Sequence, residues 1–415
     1  MSKVTIIGGG VIGLFSAYYL NQDGHEVSIF DQGDLNSGCS FGNAGMIVPS
    51  HIIPLAAPGM VAKGMRWMFK STSPFYVRPR LSGALIKWGI KFYRHATMEH
   101  VLRSIPALKA LSFYSKDCYR EFSRDAAFGF GYKEKGLLML YRTKGMEVEE
   151  IEASHVANKA GVEAHVLSLS EIQKLEPDVR VAARGGIYYP GDAQVVPQDL
   201  MSGLKAYLES RGVRFYSKTA VEDFIIEHNS VKAIVSGRNQ FDTENLVLAS
   251  GSWSGMLGTK LGLNLPMQAG KGYSFTLPDV AKNTRIPTIF LEDRVAVTPM
   301  GTTLRFGGTM EIAGVNSDIN MNRVRGIVES IPKYYPDMSV AMPKQRDVWY
   351  GLRPCSPDGL PYIGRTGKLK NLVVATGHSM LGVSLGPGTG KIVSAIMRGA
   401  KPSIALDLFD PDRNI

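Results

Sequence analysis

The chain has 415 residues, with 47 Lys and Arg against 37 Asp and Glu, a net charge of +10. Hydrophobic residues make up 44% and charged residues 20%, which suits a globular protein of two or three domains and excludes a disordered or low-complexity chain. Its three cysteines, Cys39, Cys118 and Cys355, form no C-x-x-C pair, so there is neither a disulfide framework nor a zinc motif, and a reducing compartment is expected.

The N-terminus enters a strand at once. It has no charged leader and no apolar stretch long enough to span a membrane, so the expected location is cytoplasmic. The strand (Val4, Ile6, Ile7) runs into Gly8-Gly9-Gly10-Val11-Ile12-Gly13, then a helical run to Leu20 closed by Gly24, then a second strand ending at Asp31. This is a G-x-G-x-x-G fingerprint in its full strand–helix–strand context. Gly8 permits the tight turn, Gly10 lets backbone approach a pyrophosphate, and Gly13 lets helix and strand pack closely. The helix start, at Val11 and Ile12, offers free N–H groups to the phosphate charge. Asp31 stands where a carboxylate bonds both ribose hydroxyls and repels a 2′-phosphate, which disfavours NADP. The stretch alone leaves NAD and FAD both open.

The small-residue run Ser37 to Met46 follows, of the kind used where backbone passes close to a flat ligand. From Leu35 to Met98 there is no Asp or Glu, while Lys63, Arg66, Lys70, Arg78, Arg80, Lys87, Lys91 and Arg94 fall in that window. Leu81, Leu85, Trp88 and Phe92 recur at helical spacing with Lys87, Lys91 and Arg94 on another face, which marks 59–95 as a basic amphipathic segment. Such a helix either lies on an anionic membrane surface, here the inner face of the cell membrane, or packs on the core with a solvated basic face. No nucleic-acid motif accompanies the charge, so no nucleic-acid partner is expected.

Helices are expected at Ala107 to Phe122, Gly145 to Ala160, Pro197 to Arg211 and Asn322 to Ile331, and strands at Leu137 to Tyr141, Val213 to Ser217, Ala220 to Glu227, Val231 to Ser236 and Leu246 to Ala249. Pro266 to Glu311 reads mostly as strand, and Leu372 to Ala375 as a final strand before a glycine-rich loop and a last helix. The strand–helix–strand signals at the start, middle and end, with sheet-rich stretches between, predict an α/β fold. A Rossmann-like cofactor domain is assembled from the separated segments 1–50, 186–262 and 347–415. An α+β substrate domain on an antiparallel sheet, residues 51–185 and 263–346, is inserted between them, with a ligand at the interface. The run Gly386-Pro-Gly-Thr-Gly-Lys391 fails as a P-loop, because Leu385 stands where the first glycine belongs and Ile392 where Ser or Thr would hold magnesium. It reads instead as a second loop whose N–H groups face the other end of the same cofactor, an arrangement that suits a molecule as long as FAD.

With these motifs in place, the chain resembles the FAD-dependent D-amino-acid dehydrogenase family, within the superfamily of glycine oxidase and sarcosine oxidase. The resemblance is carried by the Gly8–Gly13 fingerprint, Ser40-Phe41-Gly42-Asn43-Ala44-Gly45-Met46, Gly270-Lys271-Gly272-Tyr273-Ser274, Arg353-Pro354-x-x-Pro357-Asp358-Gly359 and Thr376-Gly377-His378 through Gly390. Pro54 to Gly59 followed by Lys63-Gly64-Met65-Arg66-Trp67-Met68 favours the dehydrogenase branch. The resemblance implies FAD, an amine substrate bearing a carboxylate, and hydride transfer from the substrate α-carbon to flavin N5. The imino acid would hydrolyse to a 2-oxo acid and ammonia, D-proline and cis-4-hydroxy-D-proline being among the substrates such a site fits. Electrons would pass to a quinone or another carrier.

The resemblance also implies roles for residues. Arg353 pairs the substrate carboxylate, with Tyr273 as a second donor to it. Ser40, Asn43, Ala44, Gly45 and Met46 pass beside the flavin. Gly377, His378, Met380, Leu381 and Gly382 approach its pyrimidine end, Val221 the adenine side, and Gly251 a turn next to the cofactor. His51 and His378 are the histidines near these motifs, and each is a candidate base toward the substrate ammonium or a packed residue. Cys355 lies downstream of the covalent attachment point of sarcosine-oxidase relatives, so the FAD is expected to be non-covalent. The rival readings are a glycine or sarcosine oxidase using oxygen, a NAD-dependent dehydrogenase, and a non-catalytic flavin-binding protein.

Overall fold

The first strand is apolar on both faces because both faces are covered. Lys3–Ile7 lies inside a six-stranded sheet whose spatial order is Tyr362–Arg365, Leu372–Thr376, Asn245–Leu248, Lys3–Ile7, Glu26–Phe30, Arg214–Tyr216. All neighbours run parallel except Tyr362–Arg365 with Leu372–Thr376. The computed structural model describes residues 2–59, 64 and 72–415.

One face of this sheet carries the helices Val11–Gln22 and Gly382–Met397, with the long helix Met98–Asp125 packed on both. Phe15, Leu108, Tyr119, Phe122 and Val393 are buried in the shared cluster. The last helix begins at Gly382, so Gly386–Lys391 is not the expected loop. A Cβ on Gly386 would stand 2.9 Å from the Phe15 ring, one on Gly388 2.7 Å from Ser115 Cβ, and one on Gly390 2.5 Å from the Phe15 backbone. These glycines let three helices touch; helix packing outweighs their poor intrinsic helix propensity.

The second sheet has nine strands. Its order is Trp349–Cys355, Gln268–Leu277, Thr303–Ile312, Val295–Met300, Thr288–Phe290, Leu137–Tyr141, Gly185–Tyr189, His165–Ser168, with Phe75–Val77 also paired to Thr303–Ile312. Pairing is antiparallel except for Thr288–Phe290 with Leu137–Tyr141 and Phe75–Val77 with Thr303–Ile312, so the sheet is mixed rather than purely antiparallel. The helix Met321–Tyr334 covers one face, over Tyr273, Phe275 and Phe290. The expected segment boundaries shift in two ways. Gly185–Tyr189 and Trp349–Cys355 pair into this second sheet, although 186–262 and 347–415 were assigned to the cofactor side. Met98–Asp125, assigned to the substrate side, packs on the cofactor-side helices through Leu108, Leu111 and Tyr119.

The basic amphipathic stretch forms a helix over Gly83–His95, capped by the Ser82 side chain on Leu85 N–H. Trp88 is buried against Met310, Ile312 and Cys355, with Leu85 and Phe92 beside it. Its indole N–H donates to the Cys355 carbonyl at 2.9 Å. Leu81 precedes the helix, fully exposed. A second apolar face, Ile86, Ile90 and Tyr93, points to solvent at 58%, 50% and 69% exposure. Lys63, Met65, Arg66, Trp67, Met68 and Lys70 lie outside the described residues. Among the described residues no helix is long and apolar enough to cross a membrane.

Candidate active site

The carboxyl ends of the parallel strands (Ile7, Phe30, Ala249, Ala375) open into one cavity of about 960 Å³, roofed by the second sheet. The glycines of the fingerprint divide by what they serve. Gly8 has φ +107°, and a Cβ there would stand 2.4 Å from the Ala249 carbonyl oxygen; a Cβ on Gly13 would stand 1.8 Å from the Gly8 oxygen. Both are demanded by the chain's own packing, and Gly13 does not line the cavity. Gly10 differs. A Cβ there would meet only Ser40 Oγ at 3.6 Å, so the space it leaves belongs to something outside the chain. The Val11 N–H donates to Ser40 Oγ, and Ile12 lines the cavity behind it.

Asp31 is held at the cavity rim by two backbone donors, Gly9 N–H to Oδ2 and Gly33 N–H to Oδ1, each 2.7 Å. Those bonds fix the carboxylate and leave acceptor capacity on both oxygens for ribose hydroxyls. Val221, Gly251 (φ +54°) and Glu222 complete this end. An orphan-free acidic clamp, a backbone cradle at Gly10 and a helix N-terminus together fit the ribose and pyrophosphate of a dinucleotide.

The loop after Asp31 is fixed from the second sheet. Arg305 is 3% exposed and donates through Nη1 to the carbonyls of Phe41 and Asn43, through Nη2 to Gln198, and through Nε to Thr276. Burial pushes its guanidinium down to about 10. Ser274 Oγ donates to the Gly42 carbonyl at 2.8 Å, and Trp349 lies across Gly42 and Gly351, where a Cβ would come within 2.0 and 2.1 Å of the indole. Ser40, Asn43, Ala44 and Met46 line the cavity as expected. Gly45 does not: with φ +73° it turns the chain against the Val195 carbonyl, 2.3 Å from where a Cβ would be. At the other end His378, Met380, Leu381 and Gly382 line the cavity, and the last helix starts there. Gly377 is absent from the lining; its φ of +81° makes the turn beside Tyr362.

Arg353 lies in the wall with its guanidinium flat against Gly272, within 2.1 Å of a Cβ built there. Its Nη1 donates to the Thr309 carbonyl, and no carboxylate pairs with it among the described residues. Burial lowers its affinity for its proton. An anion entering the cavity would therefore meet a cation without a competing counter-ion.

Tyr273 also lines the cavity, but its hydroxyl is engaged elsewhere. It is 1% exposed, packs in the cluster under Met321–Tyr334, and its hydroxyl donates to Glu311 Oε2 at 2.8 Å while accepting from Asn320 N–H. Of the two histidines, His378 is 3% exposed, bonded through Nε2 to Thr389 Oγ1, and burial drives it down to about 3. That ring bond points into the helix. His51 lines the cavity, and burial and then Arg294 bring it down to about 4. Its Nδ1 lies 3.2 Å from Ser50 Oγ, which donates to the buried Asp192 at 2.6 Å. Because the Ser50 proton goes to Asp192, His51 donates from Nδ1 and presents Nε2 as an acceptor. Burial pushes Asp192 up to about 7 against the two Ser50 bonds. Cys355 is fully buried under Trp88 and lies outside the lining, its thiol pushed up by burial.

Arg294, Arg305, Trp349, Ser50 and Asp192 were not expected from the sequence. Each acts on a residue far along the chain. The one local signal is charge: Arg294 follows Glu292-Asp293 in a stretch otherwise apolar. Among the described residues no cluster of His, Cys, Asp and Glu could hold a metal ion.

This geometry agrees with what known proteins show. A family model described as FAD dependent oxidoreductase matches residues 3–396. A D-amino acid dehydrogenase of Granulibacter bethesdensis is 32% identical over 409 residues, covering 97% of each chain. One of Bradyrhizobium diazoefficiens is 32% identical over 420 residues, 99% of this chain and 98% of that one. Among solved structures, the glycine oxidase of Geobacillus kaustophilus superposes with a TM-score of 0.79 at 24% identity, covering 100% of both chains, a likeness of fold.

Proposed function

Because the chain belongs to the FAD dependent oxidoreductase family, we propose that it oxidises D-amino acids to imino acids, which water converts to 2-oxo acids and ammonia. Its cofactor is FAD, and the cavity residues fit it: Gly10, Val11 and Asp31 at the pyrophosphate and ribose, Asn43, Ala44, Met46 and His378 to Gly382 along the ring. Bound FAD supplies a two-electron acceptor for the hydride of the substrate α-carbon. The observation that carries the reading is Arg353, a cavity cation whose guanidinium, among the described residues, bonds to a backbone carbonyl and pairs with no carboxylate. Its planar guanidinium takes the substrate carboxylate through two parallel bonds and so fixes the α-carbon relative to the ring. His51, neutral near pH 7, presents Nε2 as an acceptor in the same cavity and can take a proton from the substrate nitrogen, though a base this weak leaves much of that deprotonation to solvent.

The electrons leave to a quinone or a similar carrier. Support for a membrane-side acceptor comes from the helix Gly83–His95, where Ile86, Ile90 and Tyr93 are exposed next to Lys87 and Arg94. The test is anaerobic bleaching of the flavin by D-amino acids, D-proline, cis-4-hydroxy-D-proline, their L-forms, glycine and sarcosine. Bleaching by D-forms alone is expected. Bleaching by glycine or sarcosine only, with peroxide formed in air, would replace the dehydrogenase reading with an oxidase; silence across the panel would overturn the reaction.

A further inference from the structure

The substrate end of the cavity holds more positive charge than one amino acid needs. Its acidic lining residues, Asp31, Asp34 and Glu222, all lie at the ribose end. The other end has Arg353 and also Arg294, and Arg294 makes no hydrogen bond or ion pair among the described residues. Its neighbours in sequence do not neutralise it. Glu292 accepts from the N–H groups of Arg142 and Thr143 and from the Tyr334 hydroxyl, and Asp293 pairs with Lys333 at 2.8 Å. The titratable group facing Arg294 from across the cavity is His51, which is neutral.

The two arginines converge on one residue, Thr309. Val295 pairs with Gly308, so the preceding residue, Arg294, comes alongside Thr309, the residue whose carbonyl holds Arg353. The Arg294 carbonyl reaches within 3.3 Å of a Cβ built on Gly308. Arg294 and Thr309 have φ of +51° and +65°, a left-handed backbone that neither side chain favours, at adjacent points of the cavity wall. Thr309 Oγ1 is buried with no partner among the described residues. Thr309 and Arg294 lie at neighbouring strands about 5 Å apart, so the wall brings the Arg353 guanidinium and the base of the Arg294 side chain within reach of one short dicarboxylic amino acid.

We infer that Arg294 is a specificity residue that binds a second anionic group on the substrate, so that amino acids with a carboxylate side chain, the D-glutamate and D-aspartate class, are the preferred substrates. This rests on the D-amino-acid reading above. Arg353 takes the α-carboxylate, Arg294 the side-chain carboxylate, and the Thr309 hydroxyl is a donor between them.

The test compares D-glutamate with its neutral isostere D-glutamine on the holoenzyme. The kcat/KM ratio is expected to favour D-glutamate at least tenfold. Arg294→Gln should erase that ratio, and Arg294→Lys should restore part of it. Glutarate and butyrate, titrated against the flavin spectrum, supply a readout without turnover: glutarate should bind at least tenfold tighter to the parent and equally to Arg294→Gln. Equal use of D-glutamate and D-glutamine, or an Arg294→Gln defect equal for both, would overturn the inference and leave the D-amino-acid reading standing. If no D-amino acid reduces the flavin, that reading fails, and equal glutarate and butyrate binding would then decide against Arg294 independently.

Discussion

The two ends of the cavity are built on different principles. At the ribose end the backbone does the work: glycines set the turn, N–H groups face the cavity, and one carboxylate is pinned by two N–H donors. At the substrate end side chains from the second sheet reach in, and their charge is positive. A dinucleotide is the same molecule in every enzyme that uses it, so a backbone cradle suffices. A substrate must be distinguished from its neighbours, and that is done by side chains that can be exchanged without unfolding the cradle.

The sharpest way to break this comparison is a pair of alanines. Gly8→Ala forces a Cβ to 2.4 Å from the Ala249 oxygen at φ +107°, and a loss of about 3 kcal/mol or more of stability is expected, with no flavin retained. Gly10→Ala has room within the protein, so it should purify colourless yet melt like the flavin-free parent. Equal melting losses for both would show that Gly10 serves packing after all. At the other end, Arg353→Ala should raise the amino-acid KM by roughly 100-fold, about 2.7 kcal/mol, with the flavin content unchanged. An unchanged KM would remove the carboxylate assignment.

A subtler contrast lies in the pair Asp192 and His51, which oppose each other. Asp192 is raised from 3.8 to about 7, so the folded state holds its proton more tightly; its contribution to stability is full below pH 3.8 and is lost as pH rises through about 7. His51 is lowered from 6.5 to about 4, so its contribution is present above pH 6.5 and is lost as pH falls through about 4. Asp192→Asn should therefore gain on the parent between pH 4 and 8, by roughly 1–4 kcal/mol in denaturant unfolding. A parallel pH dependence of parent and variant would contradict this. The smallest effect is expected at the surface: Ile90→Ser should leave melting within about 0.5 kcal/mol and flavin content unchanged, yet weaken sedimentation with anionic vesicles. Undiminished sedimentation would take that helix out of any membrane contact.

What could be read from the chain was what is local. The Gly8 to Asp31 unit carries its own turn, helix and clamp within a few turns of backbone, so spacing alone describes it. Gly386 to Gly390 misled, because a glycine run reads as loop until Phe15 and Ser115 are known to lie against it. Nor does the sequence show that the Tyr273 hydroxyl is taken by Glu311 and Asn320, on elements far along the chain. Arg305 and Asp192 gave no signal, since a buried charge is explained by its partners, and theirs are Phe41, Asn43 and Ser50.

The glycine-faced last helix has a consequence for how the protein is made. The strand Lys3–Ile7 is flanked by Asn245–Leu248, which in turn leans on Leu372–Thr376, and the helix that follows closes over Phe15. On the ribosome the nucleotide fingerprint emerges well before Leu372–Thr376 and the helix after it, so its cradle has no floor until they arrive. Flavin capture is thus a late event of synthesis, and a chain released early would carry the complete motif and yet stay empty.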